Sequence, residues 1–191
     1  MSIHTNKYKF LCTFLAVSCI TSCTKNVTEV YKPTTVIHEQ EDSVLGKTEI
    51  INTINELIKA NIDAYHSYSQ AIKALKGRGF DKFLMELKLD HDTHVKDLSK
   101  VVTDLGGMPI TSSIYFKGFM LPEYVTIRTN MRPLVVLEGL ETNEIICARY
   151  YRNAASLYLP MQIKNVINEH LAHEVTHLQK IDTLKDMFNK R

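Results

Sequence analysis

The sequence is short of the residues that break regular structure: its 191 residues include only seven glycines and five prolines. With 45% hydrophobic residues, this composition suits one globular domain with appendages. Charge of one sign is missing too. The net charge is +2 and no basic run concentrates it, so the chain carries no footprint for nucleic acid. Neither a nucleophile elbow nor a phosphate-binding glycine loop is present.

The one long apolar run lies near the N-terminus. Lys7 and Lys9 precede Phe10 to Ile20, a stretch too short to span a bilayer as a permanent helix, and this order reads as a targeting segment that is removed. The run ends Ile20-Thr21-Ser22-Cys23, which resembles the bacterial lipobox, where a cysteine after small residues is lipidated and becomes the first residue after cleavage. Cys19 is a rival site, with Ala16 where an aliphatic residue is preferred. An ordinary secretory peptide is the alternative.

Lipidation at Cys23 implies a signal peptide over residues 1–22 and the lipid bilayer as partner. Cys12 and Cys19 then leave with the peptide, and Cys147 remains as a free thiol with no disulfide available. Thr24 after the lipidated cysteine implies the outer membrane, facing the periplasm. Residues 23–46 are polar, with Pro33 and paired threonines and no sustained periodicity, as expected of a flexible tether.

Strong helical periodicity appears further on. Alternate steps of four and three from Ile163 give Ile163, Ile167, His170, Glu174, His177, Ile181 and Leu184, the seam of an amphipathic helix with a polar middle. A lone carboxylate on that stripe costs on the order of several kcal/mol, so Glu174 needs a neutralising partner. The stretch Phe80 to Leu105 repeats the design, with His91 and His94 in the middle of its seam.

An offset of 83 residues superposes the two stretches, pairing Leu84 with Ile167, His91 with Glu174, His94 with His177 and Leu98 with Ile181. The same offset pairs Ile54 with Leu137, Asn61 with Glu144 and Tyr68 with Tyr151. Two helix pairs built alike follow from this repeat. The helices are expected over residues 47–75, 80–105, 133–155 and 161–187. Short turns join each pair, and one long connection, residues 106–132, joins the two. The third helix's seam is expected at Leu134, Leu137, Glu141, Glu144, Ala148 and Tyr151.

This all-α arrangement, two hairpins joined by a long crossover over residues 47–188, resembles the ferritin-like superfamily. In detail it resembles a bacterial ferritin-like family of unknown function, through Gly106-Gly107-Met108-Pro109, Glu144 with Tyr151 seven residues on, and Leu159-Pro160. The resemblance implies a metal site at Asn61, His91, His94, Glu144, Glu174 and His177. Asn61 and His91 stand where the superfamily has carboxylates, so the resemblance supports a metal site more than oxygen chemistry.

His91 with His94, and Glu174 with His177, are spaced three apart and share a helix face, as chelating pairs do. Asn61, Glu141, His170 and His173 are secondary candidates. An imidazole-rich set suits iron, zinc, copper or nickel better than magnesium or calcium, with manganese also among the candidates. The competing reading is a buried polar network without metal, in an interaction module that has lost a di-iron site. A metal-dependent oxidoreductase is the least favoured reading, and a homodimer is a further expectation. Tyr68 and Tyr151 are expected to fill core and bond a carboxylate. Asp63 and His66 are expected in solvent, Asp90, Asp92 and Asp97 on an exposed acidic face, and Cys147 as a small buried residue.

Overall fold

The computed structural model describes residues 45–113, 127–128 and 131–189, leaving aside the side chains of the last two. The segments expected to be a signal peptide and a tether, up to residue 44 and including Cys23, and much of the long connection lie outside the described residues.

Four helices make up the fold: α1 (Lys47–Ala74), α2 (Asp81–Asp104), α3 (Pro133–Ala155) and α4 (Met161–Asn189). No strand occurs among the described residues. The short turn after α1 uses Gly77 and Gly79 at φ +75° and +86°, which reverses the chain into α2. α2 ends in a Schellman cap, with Gly106 at φ +69°, its N–H donating to Thr103 O and that of Gly107 to Val102 O. α3 starts with Pro133, whose missing N–H costs nothing at a first turn.

α1 packs against α2 and α3, and α4 packs against α3 and, less closely, α2. Leu45 N–H donates to Tyr158 O while Cys147 Sγ approaches Ala60 O, so α1 and α3 run antiparallel. α2 and α3 therefore run the same way, which is why the connection between them must travel the length of the bundle.

The segment after α2 folds back over α1. Asn55 grips it from both sides, donating from Nδ2 to Met108 O and accepting at Oδ1 from Ile110 N–H. Ser113, further along it, is buried, and so is Asp63. The solvated position expected for Asp63 is thus corrected: this segment covers a flank of α1 that the seam pattern leaves bare. Burial raises the Asp63 pKa, and the neighbouring Ser113 offsets part of the rise. His66 is half-buried rather than solvated.

Two apolar clusters fill the ends of the bundle. One contains Tyr68, Leu75, Leu84, Leu87, Leu137, Leu140 and Ile181; the other Ile54, Leu57, Ile58, Leu98, Tyr151, Ile163 and Ile167. On α3 the inward position is Leu140, and Glu141 turns aside to pair with Lys185 at 2.7 Å. Each cluster includes one tyrosine of the repeat, and the polar residues lie between the tyrosines.

Candidate metal centre

Every polar residue of this middle layer comes from the heart of a long helix, so its Cα position is fixed by packing on both sides. Asn61, His91, Glu144 and Glu174 are wholly buried, and His94 and His177 are 1% exposed. Water solvates none of these groups appreciably. Their partners must come from one another.

Asn61 Nδ2 donates to Leu57 O and to the Tyr151 hydroxyl, both at 2.8 Å. Its Oδ1 is thereby turned to the imidazoles, 2.9 Å from His91 Nδ1 and 3.1 Å from His94 Nδ1. Glu144 faces the other side of His91, with Oε1 3.0 Å from Nε2, and its Oε2 lies 3.2 Å from His177 Nδ1. Glu174 Oε1 lies 3.2 Å from His94 Nδ1 and 3.7 Å from His91 Nδ1.

Glu174 is the anomaly of the layer. Both of its oxygens are buried, and neither receives a hydrogen bond from an N–H or a hydroxyl. Burial, reinforced by the neighbouring Glu144 carboxylate, raises the Glu174 pKa well above the usual range and keeps the acid protonated. For Glu144 burial acts the same way, but the electrostatic influence of His91 and hydrogen bonds from His177 and His91 outweigh it and favour the ionised form. Burial, reinforced by the surrounding histidines, holds His94 far below the usual imidazole range. His177 is buried too, yet hydrogen bonds to Asp90 and Glu144 outweigh that and push its pKa up to about 9.

A ladder of polar pairs crosses from α2 to α4 behind this layer. Asp90 Oδ2 lies 3.1 Å from His177 Nε2, His94 Nε2 lies 3.0 Å from His173 Nδ1, and Asp97 Oδ2 lies 3.3 Å from His170 Nε2. His173 is exposed, whereas His170 is buried with Nδ1 3.3 Å from the Tyr151 hydroxyl. Asp90 and Asp97 were expected on an exposed acidic face. Their side chains are 40% and 51% exposed, but each is tied to a buried histidine. Asp92 pairs with Lys96 on its own helix. A groove of about 570 Å³ along the seam begins at Asp97 and continues between Val101, Leu105, Ile163 and Val166.

Of the sequence-derived candidates, His91, Glu144, Glu174 and His177 each offer a ligand atom within 4.8 Å of the others. Asn61 and His94 adjoin that group through His91 and Glu174. His170 and His173 stand one layer out, Glu141 is apart with Lys185, and Cys147 is a buried thiol whose pKa burial pushes well up. The residues missed were Asp90 and Asp97, which a helix-by-helix pattern cannot couple to histidines some 70 to 90 positions away.

A transition metal fits this donor set. A buried acid whose oxygens receive no N–H or hydroxyl donor is costly as it stands, and three imidazoles with two carboxylates match the ligand preferences of zinc, copper, nickel and iron(II). The outer ring also suits a metal, since a ligating histidine ordinarily has its second nitrogen held by a carboxylate or another polar group, as Asp90 holds His177.

Solved structures show the same fold. The bacterioferritin of Desulfovibrio desulfuricans, described with its diiron site in different catalytic states, is 15% identical with a TM-score of 0.64, over 75% of this chain and 82% of its own. A dodecameric thioferritin, the bacterioferritin-related protein from Bacteroides fragilis, is 16% identical with a TM-score of 0.64, over 76% and 90%. The bacterioferritin of Rhodobacter capsulatus, described with a metal-free dinuclear site, is 17% identical with a TM-score of 0.61, over 76% and 88%. This is a ferritin-like four-helix bundle, whose buried His/Glu group could hold a metal. A sequence search of curated proteins returns no match. Residues 49–157, more than half of the chain, match the family model described as Domain of unknown function (DUF2383), and the chain belongs to that family.

Proposed function

We propose that this protein is a lipid-anchored envelope protein that binds transition-metal ions in its bundle core, as a metal buffer or as protection against redox stress. The observation that carries the reading is Glu174, a carboxyl group buried with both oxygens free of N–H or hydroxyl donors and facing His91, His94 and Glu144. His91, Glu144, Glu174 and His177 would supply the ligands, with His94 and Asn61 beside them. A bound cation supplies the positive charge that lets both acids ionise in a dry core. Asp90 fixes the ring of His177 and leaves its Nδ1 facing inward.

Anchoring rests on the lipobox-like segment ending at Cys23 and on the polar residues 23–46, which give the bundle reach from an outer membrane into the periplasm. Among the described residues no helix is long and apolar enough to cross a membrane. Replacement of Cys23 by alanine should move the protein from the membrane fraction to the soluble one. An unlipidated wild-type chain would end the anchoring proposal.

The test of metal binding is elemental analysis of the untagged protein after challenge with iron, zinc and copper. Less than about a tenth of an equivalent bound defeats it. One observation favours a metal-free interaction module instead: Asn61 Oδ1 already sits within hydrogen-bonding distance of Nδ1 of both His91 and His94, which satisfies those nitrogens without an ion. That reading predicts a stable chain indifferent to every metal.

A further inference from the structure

The metal-binding reading leaves open how many ions the core takes and what joins them. His91 differs from its two neighbours in a way that bears on both. His177 turns Nδ1 toward Glu144 and Nε2 outward to Asp90, and His94 turns Nδ1 inward and Nε2 outward to His173. Each has one nitrogen for a ligand and one held from behind, the usual arrangement of a terminal histidine ligand. His91 has neither nitrogen turned outward: Nδ1 faces Asn61, with Glu174 beyond it, and Nε2 faces Glu144.

Two donor groups therefore lie on opposite edges of one ring. On the Nδ1 edge, Asn61 Oδ1 is 2.9 Å from His91 Nδ1 and 3.1 Å from His94 Nδ1, and Glu174 Oε1 is 3.7 Å and 3.2 Å from the same two nitrogens. On the Nε2 edge, Glu144 Oε1 is 3.0 Å from His91 Nε2, and Glu144 Oε2 is 3.2 Å from His177 Nδ1. Ligands about 2.0–2.1 Å from one ion lie roughly 2.9–3.4 Å from each other in octahedral or tetrahedral arrangements, which most of these separations match.

We infer that the core has two cation positions bridged by the imidazole of His91, one held by Asn61, His91, His94 and Glu174 and the other by His91, Glu144 and His177. This rests on the metal-binding reading and makes it specific. A bridging imidazole separates its ions by about 6 Å, the ring plus two metal–nitrogen bonds, against about 3.5–4 Å in ordinary two-metal sites. Ligation through both nitrogens leaves no N–H on the ring, so its last proton passes to bulk water as the second ion enters. The internal repeat accounts for the layout, because the 83-residue offset relates His94 to His177 and Asn61 to Glu144. It relates Asp90 to His173 as well, the two groups behind the terminal ligands.

Copper(II) is the probe, since it accepts imidazole and carries one unpaired electron. The full-length chain, without an affinity tag, is titrated with copper(II), desalted, analysed for metal and examined by electron paramagnetic resonance. Saturation at two ions is expected, with a spin signal that rises through the first equivalent and falls well below half of the two-ion intensity at the second, as the bridged spins pair. His94→Ala and His177→Ala should each retain one ion, which then gives the full signal of an isolated copper. His91→Gln should abolish the pairing while far-ultraviolet circular dichroism reports an intact bundle. Saturation at one ion, or two ions with the full intensity of two independent spins, overturns the bridge and leaves metal binding standing. No bound copper, zinc or iron overturns both.

Discussion

Asp90 Oδ2 meets His177 Nε2 at 3.1 Å across the seam between α2 and α4, so a partly exposed carboxylate holds a buried imidazole from behind. With Glu144 on the other nitrogen, that contact overcomes burial and raises the His177 pKa to about 9. A histidine whose folded pKa is raised contributes stability that is fully present below its unfolded value, about 6.5, and is lost as pH rises through about 9. For the metal-free protein the loss amounts to about 3 kcal/mol. Asp90→Asn should remove much of it, flattening the alkaline arm of stability against pH. Urea unfolding at a series of pH values between 6 and 10 checks this, and an unchanged alkaline slope in the variant would show that Asp90 is not the cause.

The acid arm has the opposite sign. Burial, aided by the neighbouring histidines, lowers the His94 pKa, and burial lowers that of His170 against the pull of Asp97. The unfolded chain then binds more protons below about 6.5, and linkage requires stability to fall as pH drops through that value. His94→Gln should shift the onset of acid unfolding of the metal-free bundle to lower pH, read by circular dichroism. A wild-type protein equally stable at pH 5 and pH 7 would contradict the neutral assignment of these rings.

Glu174→Gln separates folding from binding. A glutamine reproduces the shape of the protonated acid and, like it, can donate to Glu144. The metal-free variant should be as stable as wild type or about 1–2 kcal/mol more stable, because glutamine, unlike an acid whose pKa burial raises, takes up no proton on folding. Metal affinity should fall at least tenfold. Calorimetric unfolding with and without metal reads both effects. A large loss of stability in the metal-free variant would mean that Glu174 is structural.

Asn61→Asp tests the converse. In the metal-free chain the new carboxylate loses the two Nδ2 donations, to Leu57 O and Tyr151, and adds an acid beside Glu174. Destabilisation of about 3–5 kcal/mol is expected, the range for an unpaired buried charge. Saturating metal should recover most of it, since the carboxylate becomes a ligand. Recovery is read as the difference in unfolding midpoint with and without the ion. A penalty that metal leaves untouched would place position 61 outside the coordination sphere.

The helices and their seams were legible because apolar residues at a 3.6-residue period leave little choice of buried face, and the offset brought His91, His94, Glu174 and His177 to one level. On α3 the stripe slipped. Glu141 and Leu140 are adjacent, the observed inward residue is Leu140, and Glu141 finds Lys185. Asp63 was misplaced for a different reason. Its cover comes from the segment near Ser113, whose path no periodicity encodes. Asp90 and Asp97 look like solvated charges on α2 alone, and only the antiparallel pairing with α4 brings them to His177 and His170.

Gly106 and Gly107 share a motif but have different jobs, and substitution separates them. Gly106 is needed for its backbone, at φ +69°, where a side chain is strained whatever the space. Gly107 is needed for its size. A Cβ there would lie 2.9 Å from Ile51 Cδ1 and 3.1 Å from Val102 Cγ1, wedged between the end of α2 and the start of α1. Gly106→Ala should cost about 1 kcal/mol in any background. Gly107→Ala should cost about 1–3 kcal/mol as overpacking, and Ile51→Val, which shortens the obstructing side chain, should return part of it. A double-mutant cycle by urea unfolding measures the coupling. A rescue of Gly106→Ala by Ile51→Val, or none for Gly107→Ala, would reverse the two assignments, because strain within one residue's own backbone cannot be relieved by trimming a neighbour.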